Sequence, residues 1–521
     1  MTLRSQHLGD LLEGIATDAG LAPLRNIVVR GLTLDSRHVR NGDAFVALRG
    51  ASTHGIAFAP AAMAQGAAVI LGETPAPAAV GAATFTGRDE PVLPDLGEGG
   101  LEVPNAHGRT VSILWIDGLR ERLGEIAARF FERPSAALQV IGVTGTNGKT
   151  SIVQLVAAAL HGLGARAATI GTLGAGFVGA IRAGERTTPD AISVQALLAE
   201  FRDAGASHVA MEVSSHALYQ GRVNAVDFEV AAFTNLTRDH LDYHGTMEDY
   251  GAAKARLFSW PGLRAAVINI DDAFGARLAG SLPASVQGLR YGIENDRADI
   301  VARNVRSGTD GLRFMLTTPW GTDEIATSLL GHFNVANLLA VAGCLGALGC
   351  SFAQICTALT QAQPVAGRMN RLGGGELPLI VVDYAHTPDA LAQALGSLRA
   401  HTHGRLICVF GCGGERDQGK RPQMAAIAEG GADQVIVTDD NPRGENGDTI
   451  VAQIVAGFAR PQAVEVERDR ARAIASALRR ARRGDVVLIA GKGHEPYQEI
   501  AGIKHPFDDI DVARRALQVA A

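Results

Sequence analysis

The stretch LQVIGVTGTNGKTSIVQLV, residues 138–156, decides how this chain is read. Its first part is an aliphatic and β-branched run, a buried strand, and its last part is a helix. Glycines fill the turn between them. That order is what a phosphate loop requires: small residues let backbone N–H groups face an anion, and the helix start adds its dipole and free amides. Lys149 and Thr150 stand where a lysine and a hydroxyl reach phosphates and Mg²⁺. The general pattern G-x-x-x-x-G-K-[ST] asks for glycine where the chain has Val143; its glycines are Gly142, Gly145 and Gly148. An ordinary glycine-rich βα turn is the plainer alternative, and the agreement of strand, loop, Lys-Thr and helix weighs against it.

Outward from this stretch the theme repeats. HVAMEV, VAAFTNL and AAVINI are further buried-strand runs separated by helical segments, which predicts a mainly parallel sheet. The helix after the loop is expected to end at Gly164. NVANLLAVAGCLGALG (334–349) reads as another helix, and Pro364 and Gly367 mark a boundary after it. Beyond them LPLIVVDYA, RLICVFG, DQVIVTDD and DVVLIAGKG are four buried-strand runs. Upstream, AFVAL (44–48) and AAVIL (67–71) read as strands. Residues 86–110, rich in Pro, Gly and acids, are expected to form a surface loop or insertion. A helical run breaks at Pro134, the other boundary. The expected domains are 1–135, 136–365 and 366–521, all α/β.

Length and composition set limits. A chain of 521 residues is too long for one core. Lys and Arg number 48 against 54 Asp and Glu, a net −6, which argues against a general nucleic-acid binder but leaves room for local basic clusters on small anions. The 5 cysteines are odd in number and form no C-x-x-C, so neither a disulfide framework nor a zinc site is expected. His240 and His244 sit four apart, but H-E-x-x-H is absent. The N-terminal run does not look like a secretory signal, and no stretch offers the ~20 apolar residues of a membrane span. A cytoplasmic protein without membrane or nucleic-acid partners is expected.

GTNGKT resembles the ATP loop of the Mur ligases and of folylpolyglutamate synthetase, enzymes that join a carboxylate to an amine through an acyl phosphate. The resemblance implies that Gly142, Thr144, Gly145, Thr146, Asn147, Gly148, Lys149, Thr150 and Ser151 take ATP. MEVSSHALYQGRV (211–223) and NLTRDHLDYHGTMEDYGAAKARLF (235–258) also resemble the Mur ligases. A carboxylate at a strand end suits Mg²⁺ on its own chemistry, so Glu212 is a candidate ligand. The resemblance adds His240 and Thr150 as ligands of two Mg²⁺ ions, and Lys254 as a lysine carbamylated by CO₂ (N6-carboxylysine). Lys149, Lys254 and His240 become the catalytic candidates. GHFNVANLLAV (331–341) resembles the family's adenine-binding segment, implying Asn334 and Asn337. GRMNRL and VVDYAHTPDAL imply Arg368 on phosphate and Asp383 on ribose.

The substrate end is read the same way. LTLDSRHVRNGDAFVALRGASTHG (32–55) resembles the UDP-sugar domain of Mur ligases, a domain folylpolyglutamate synthetase lacks. It implies Ser36, with His54 nearby, at the UDP-muramoyl end. Thr187, Thr188, Ser214, Gln220 and Arg222 match residues around the sugar-linked peptide. DDNPRGEN (439–446) resembles the signature of Mur ligases that add meso-diaminopimelate to UDP-N-acetylmuramoyl-L-alanyl-D-glutamate. Diaminopimelate has a second carboxylate, which an arginine such as Arg443 can grip in a bidentate pair; an Asn-Pro turn with a surface arginine is the plainer alternative. The same match implies Asp440, Asn441, Pro442, Arg416, Gly491 and Glu495 around this amino acid, with Glu495 facing its ammonium. Glu415 stands where the family more often has Asp. The expected architecture is therefore an N-terminal UDP-binding α/β domain, a central P-loop ATPase-like parallel sheet and a C-terminal Rossmann-like domain, in a monomer. The rival readings are the same ligase using L-lysine, and a non-catalytic nucleotide-binding regulator on this fold.

Overall fold

A computed structural model of the chain describes residues 4–50, 53–77, 101–104, 110–308 and 311–520. Two compact units emerge, one of residues 1–153, 160–268 and 272–288, the other of 154–159, 269–271 and 289–521.

In the first unit an N-terminal sheet has the strand order Gly31–Thr33, Asp43–Ala47, Val69–Glu73, Thr110–Ile116, Leu101–Pro104. Its strands are parallel apart from the last, which pairs antiparallel. Leu101–Pro104 falls inside the segment expected to be a loop. Leu101-Glu102-Val103 carries the alternation of an edge strand, hidden in the sequence by the Pro and Gly around it. Apart from these four residues and Thr110, the rest of 86–110 lies outside the described residues. Leu119, Leu123 and Ile126 of the helix Leu119–Phe130 share one buried cluster with Ile192 and Ala199 of the helix Ala191–Asp203. Asp190 starts that second helix by accepting from the N–H groups of Ile192 and Ser193.

The strand of the opening stretch, Gln139–Thr144, lies between His208–Glu212 and Phe228–Phe233, parallel to both. All three are apolar along their length, as strands covered on both faces must be. Their carboxyl ends are level: Glu212 is opposite Val143, and Phe233 is opposite Thr144. Ligands of open α/β sheets bind at this edge. The helix Lys149–Gly162 follows the loop, and Gly164 ends it in a left-handed conformation (φ 92°), as expected.

In the second unit the four predicted strands form Leu379–Asp383, Leu406–Phe410, Gln434–Val437 and Val486–Ala490. The sheet order is Asn370–Gly373, Leu379–Asp383, Val486–Ala490, Leu406–Phe410, Gln434–Val437, Glu465–Val466, parallel except for the first pair. The same unit holds the helix Phe333–Ala347, whose predicted limits were 334–349. Among the described residues no helix is long and apolar enough to cross a membrane.

One ion pair ties the C-terminal helix Asp509–Ala520 to this sheet. Arg470 and Asp509 are both 0% exposed and meet through two bonds of 2.8 Å, and Arg470 also donates to Ala490 O at 3.0 Å. Breaking such a pair strands a buried charge, so Asp509→Ala should lower unfolding free energy by about 3–5 kcal/mol. Asp511→Ala, which removes the exposed Arg514 pair two residues on, should change it by less than about 1 kcal/mol. Denaturant titration of the two variants measures the contrast.

Candidate active site

The loop after Gln139–Thr144 is clasped by the segment that leaves the neighbouring strand. Thr146 N donates to Asn235 O (2.8 Å), Asn147 N to Asn235 Oδ1 (3.0 Å), and Thr237 N to Thr146 Oγ1 (3.0 Å). Thr234 Oγ1 and Asn235 Nδ2 both donate to Asn147 O. Gly145 has φ 143°, and a Cβ there would stand 1.9 Å from Thr234 Oγ1. Gly148 turns into the helix at φ 89°. Gly142, expected to belong to the ATP loop, is a strand residue whose Cβ would meet the Phe228 ring at 2.8 Å. Its glycine is a packing requirement.

Two lysines converge on this loop. Lys149 Nζ donates to Gly145 O at 2.9 Å and to Thr146 O at 2.8 Å. Lys254 Nζ donates to the same Gly145 O at 2.8 Å and lies 4.3 Å from the Tyr250 ring centroid. Lys254 is 1% exposed. Burial, and then the charge of Lys149, push its pKa well below the ordinary lysine range, against a smaller opposing effect of Asp239. Burial thereby favours the neutral amine. Thr150 and Ser151 are buried in the first turn of the helix.

Glu212 ends its strand with its carboxylate buried. Its oxygens accept from Thr172 N (2.7 Å) and Thr172 Oγ1 (3.2 Å), and among the described residues it has no ion-pair partner. A buried carboxylate without a cation suits a metal ion. His240 sits at φ 52°, half exposed, with Nε2 3.4 Å from Asp239 Oδ2. Its ring lies 4.8 Å from that of His216, which also meets Tyr243 at 4.2 Å and His244 at 5.3 Å. His244 Nε2 is 3.0 Å from Ser215 Oγ. Among the described residues no three His, Cys, Asp or Glu side chains gather as a metal cage.

The residues expected around the sugar-linked peptide form one network. Thr188 Oγ1 lies 2.8 Å from Glu212 O, 3.1 Å from Ser214 N and 3.3 Å from Ser214 Oγ. Thr187 Oγ1 meets Thr172 Oγ1 at 3.0 Å, which joins this group to Glu212. Arg222 donates to Thr188 O (2.9 Å) and to Gln220 Oε1 (2.6 Å), and Gln220 Nε2 donates to Tyr243 (2.8 Å). A cavity of about 1240 Å³ in the same unit is lined by Ser36, Arg37, Phe58, Arg182, Arg186 and Asp190, among others. His54 is differently occupied: Nδ1 accepts from Ile56 N at 3.0 Å and Nε2 meets Glu73 O at 2.8 Å, so both ring nitrogens serve the fold.

The second unit brings together the residues expected at the amino acid. Asn441 is their hub: Oδ1 accepts from Lys492 Nζ (3.0 Å) and Glu499 N (2.9 Å), while Nδ2 donates to Glu495 Oε2 (2.7 Å). Lys492, fully buried, also reaches Glu495 Oε2 at 3.2 Å. Asp440 is buried at the hub's edge; burial raises its pKa, opposed by Arg470 and Lys492. Gly491 leaves room for it, since a Cβ there would lie 2.4 Å from Asp440 Oδ2. After Pro442, Arg443 adopts φ 53° and its Nη1 donates to Gly414 O at 2.8 Å. Gly414 N donates back to Asn441 O at 2.9 Å. Arg416 is exposed on that facing loop. Fully buried Arg421 locks the two loops with a bidentate grip on Glu445, at 2.7 Å for each bond, and Glu445 in turn accepts from Glu415 N. Arg368 stands 5.2 Å from the Tyr384 ring, and Asp383, buried, accepts from Met369 N at 2.8 Å. Asn334 and Asn337 are buried on the helix Phe333–Ala347.

Sequence reasoning missed the clasp residues Thr234, Asn235 and Thr237, and the buried Lys492. All stood inside quoted motifs, with no local signal that marked them.

Comparison with known proteins identifies the family. Three profiles match: Mur ligase family, catalytic domain, at 28–131; Mur ligase middle domain at 143–345; and Mur ligase, glutamate ligase domain, at 367–493. The chain belongs to the Mur ligase family. This Mur ligase is 54% identical over 516 residues to the UDP-N-acetylmuramoyl-L-alanyl-D-glutamate--2,6-diaminopimelate ligase of Xanthomonas oryzae pv. oryzae (strain MAFF 311018), covering 99% of this chain and 98% of that one. It is 51% identical over 493 residues to the ligase of the same name from Pseudomonas aeruginosa (strain PAO1), covering 95% and 96%. A solved structure of such a ligase superposes with TM-score 0.71 at 36% identity, over 99% of both chains. Mycobacterium tuberculosis folylpolyglutamate synthase with ADP and AMPPCP shares the fold, at TM-score 0.57 and 19% identity, over 70% of this chain and 91% of that one.

The state of Lys254 has a measurable consequence. Its folded-state pKa is depressed, so unfolding takes up a proton and stability rises with pH until the unfolded lysine titrates at about 10.4. Burial of this amine therefore costs stability at pH 7. In CO₂-depleted buffer Lys254→Met should melt higher than wild type at pH 7, with a flatter rise from pH 7 to 9, because Lys149 still serves Gly145 O. Differential scanning calorimetry across that range tests it.

Proposed function

We propose that this Mur ligase adds meso-diaminopimelate to the D-glutamate of UDP-N-acetylmuramoyl-L-alanyl-D-glutamate, with ATP as co-substrate, in building a peptidoglycan precursor. The observation that carries the choice of amino acid is the frame around Asn441, which fastens a guanidinium, Arg443, and a carboxylate, Glu495, to one pair of loops. A cation and an anion held together suit the far end of diaminopimelate, which carries a carboxylate and an ammonium. L-lysine lacks that carboxylate and would leave Arg443 with its partners inside the fold alone, Glu499 at 3.6 Å and Gly414 O.

The chemistry follows in two steps. A γ-carboxylate oxygen of D-glutamate attacks the γ-phosphorus of ATP; the bond to the ADP oxygen breaks, leaving an acyl phosphate. The neutral amine of diaminopimelate then attacks the acyl carbon, the amide forms, and phosphate leaves. Lys149 exchanges two loop carbonyls for phosphate oxygens and spreads their growing charge. The backbone N–H groups at the start of the helix Lys149–Gly162 are read as the phosphate cradle. In the second unit, Arg368 is read as a phosphate contact, Asp383 as a ribose contact, and Asn334 and Asn337 as adenine contacts. Two Mg²⁺ ions would be held by Thr150, Glu212, His240 and the carbamate of Lys254, and when bound they neutralise the phosphates and polarise the attacked phosphorus. The carbamate reading is supported by a buried amine whose lowered pKa favours the neutral form, the form that adds to CO₂. Ser36, which lines the cavity, and the Thr188–Arg222 network are read as the UDP-muramoyl-peptide contacts. We read three domains, 1–135, 136–365 and 366–521, in a cytoplasmic monomer, which light scattering checks.

Phosphate release from ATP with the UDP-linked dipeptide should require meso-diaminopimelate and stay at background with L-lysine. Arg443→Ala should raise the KM for diaminopimelate by about 100-fold or more, the loss of a charge-assisted pair near 3 kcal/mol, and leave the KM for ATP unchanged. Turnover with lysine alone would overturn the substrate assignment. Separately, protein equilibrated with ¹³C-bicarbonate should give a carbamate carbon signal that Lys254→Met lacks and that Lys149→Met keeps.

A further inference from the structure

We propose that His401 is a positioning residue for the nucleotide base, acting through a one-way chain of hydrogen bonds that ends at Asn337. The inference rests on the reading of Asn334 and Asn337 as the adenine contacts. His401 is 1% exposed and follows the helix Pro388–Arg399. Its Nε2 lies 3.1 Å from Gly331 N and must accept; its Nδ1 lies 2.7 Å from Gly308 O and must carry the proton. Both contacts ask for the same neutral tautomer.

The N–H of Gly331 belongs to the same peptide group as the carbonyl of Leu330, so His401 sets the plane of that group. Leu330 O accepts from Asn334 Nδ2 at 2.7 Å, and Asn334 Oδ1 accepts from Asn337 Nδ2 at 2.8 Å. Donation therefore runs in one sense, from Asn337 through Asn334 and the 330–331 peptide to His401 and Gly308 O. Turning either carboxamide over would set oxygen against oxygen. The chain leaves Asn337 Oδ1 as its open end, with no hydrogen bond among the described residues. An amide oxygen there takes the exocyclic amino group of adenine and is mismatched to the carbonyl of a 6-oxopurine. Without the imidazole, the peptide loses its anchor and the two amides lose the group that fixes their sense.

His401→Leu removes both ring nitrogens at similar bulk. The KM for ATP should rise about tenfold, the worth of one buried hydrogen bond. The KM values for the UDP-dipeptide and diaminopimelate should stay within about twofold, kcat at saturating ATP within about threefold, and the preference for ATP over ITP should fall with the ATP term. His401→Gln, whose amide can accept from Gly331 and donate to Gly308, should recover most of the preference. Should the leucine variant not fold, His401→Asn, too short to bridge both groups, takes its place with the same expectation. An unchanged ATP:ITP ratio, a loss spread evenly over all three substrates, or a glutamine variant as poor as leucine would overturn the role. Asn337→Ala separates the two readings: an unchanged KM for ATP there would sink the adenine site itself, whereas a raised one beside wild-type behaviour of His401→Leu would sink only the positioning role.

Discussion

Two ammonium groups share one carbonyl oxygen, that of Gly145, and the catalytic loop is arranged around that crowding. Two full charges meeting at one oxygen repel strongly where water is excluded. The protein answers by burying Lys254 until its amine gives up its proton readily, while Lys149 keeps a path to the phosphates. The carbonyl can point at both lysines because Gly145 adopts a φ that disfavours any side chain, and Thr234 fills the space a Cβ would take. Thr234, Asn235 and Thr237 then hold the loop in that shape with no ligand contact required of them. The positive φ at Gly145 and the clasp around it are one device: the missing Cβ leaves the space that Thr234 fills.

Charge in the second unit is handled in the opposite way. Arg470 meets Asp509, Arg421 meets Glu445, and Lys492 meets Glu495 through the Asn441 frame. Each of these three cations has its counterion within the fold, so the loops bearing Arg416 and Arg443 are held by pairs already formed. Glu212 and Lys254, in the first unit, are buried with no ion pair among the described residues. A buried carboxylate and a buried amine without ion pairs are groups whose charge a ligand can answer, and the metal and carbamate readings proposed above rest on that.

Strands and their order of appearance were legible in the sequence, because strands covered on both faces are nearly continuous apolar runs: LQVIGVTG, HVAMEV and VAAFTNL each mark a strand of the central sheet, Gln139–Thr144, His208–Glu212 and Phe228–Phe233. The strand Leu101–Pro104 was not, since an edge strand has only a short alternation and Pro and Gly flank it. At the site, single charged residues in motifs were readable as chemistry: Lys149, Glu212 and Arg443. The supporting groups were not. Thr237 and Asn235 act through backbone contacts with residues about ninety positions away, and no local pattern encodes that distance. Lys492 reads as a surface lysine until the fold puts it under Asn441. His54 shows the reverse case, a residue singled out by its neighbourhood whose two nitrogens the local turn consumes.

The departure of the loop from the general phosphate-loop pattern has a structural reason. Val143 is not a loop residue. It is the penultimate residue of the strand, fully buried, in register with Glu212, with its carbonyl accepting from Val213 N at 2.8 Å. A glycine there would weaken the very strand that sets Glu212 beside the loop, since glycine in a strand interior loses side-chain packing and gains backbone entropy on unfolding. Nor is Gly142 the missing glycine displaced by one. It lies further back in the strand, and what it avoids is the Phe228 ring. The turn therefore begins at Gly145, later than the general pattern supposes, and the chain must reach the helix at Lys149 in fewer residues. A shorter turn holds less of its own shape. That is why the clasp from Thr234 to Thr237 supplies from outside what a longer glycine-rich loop supplies from within.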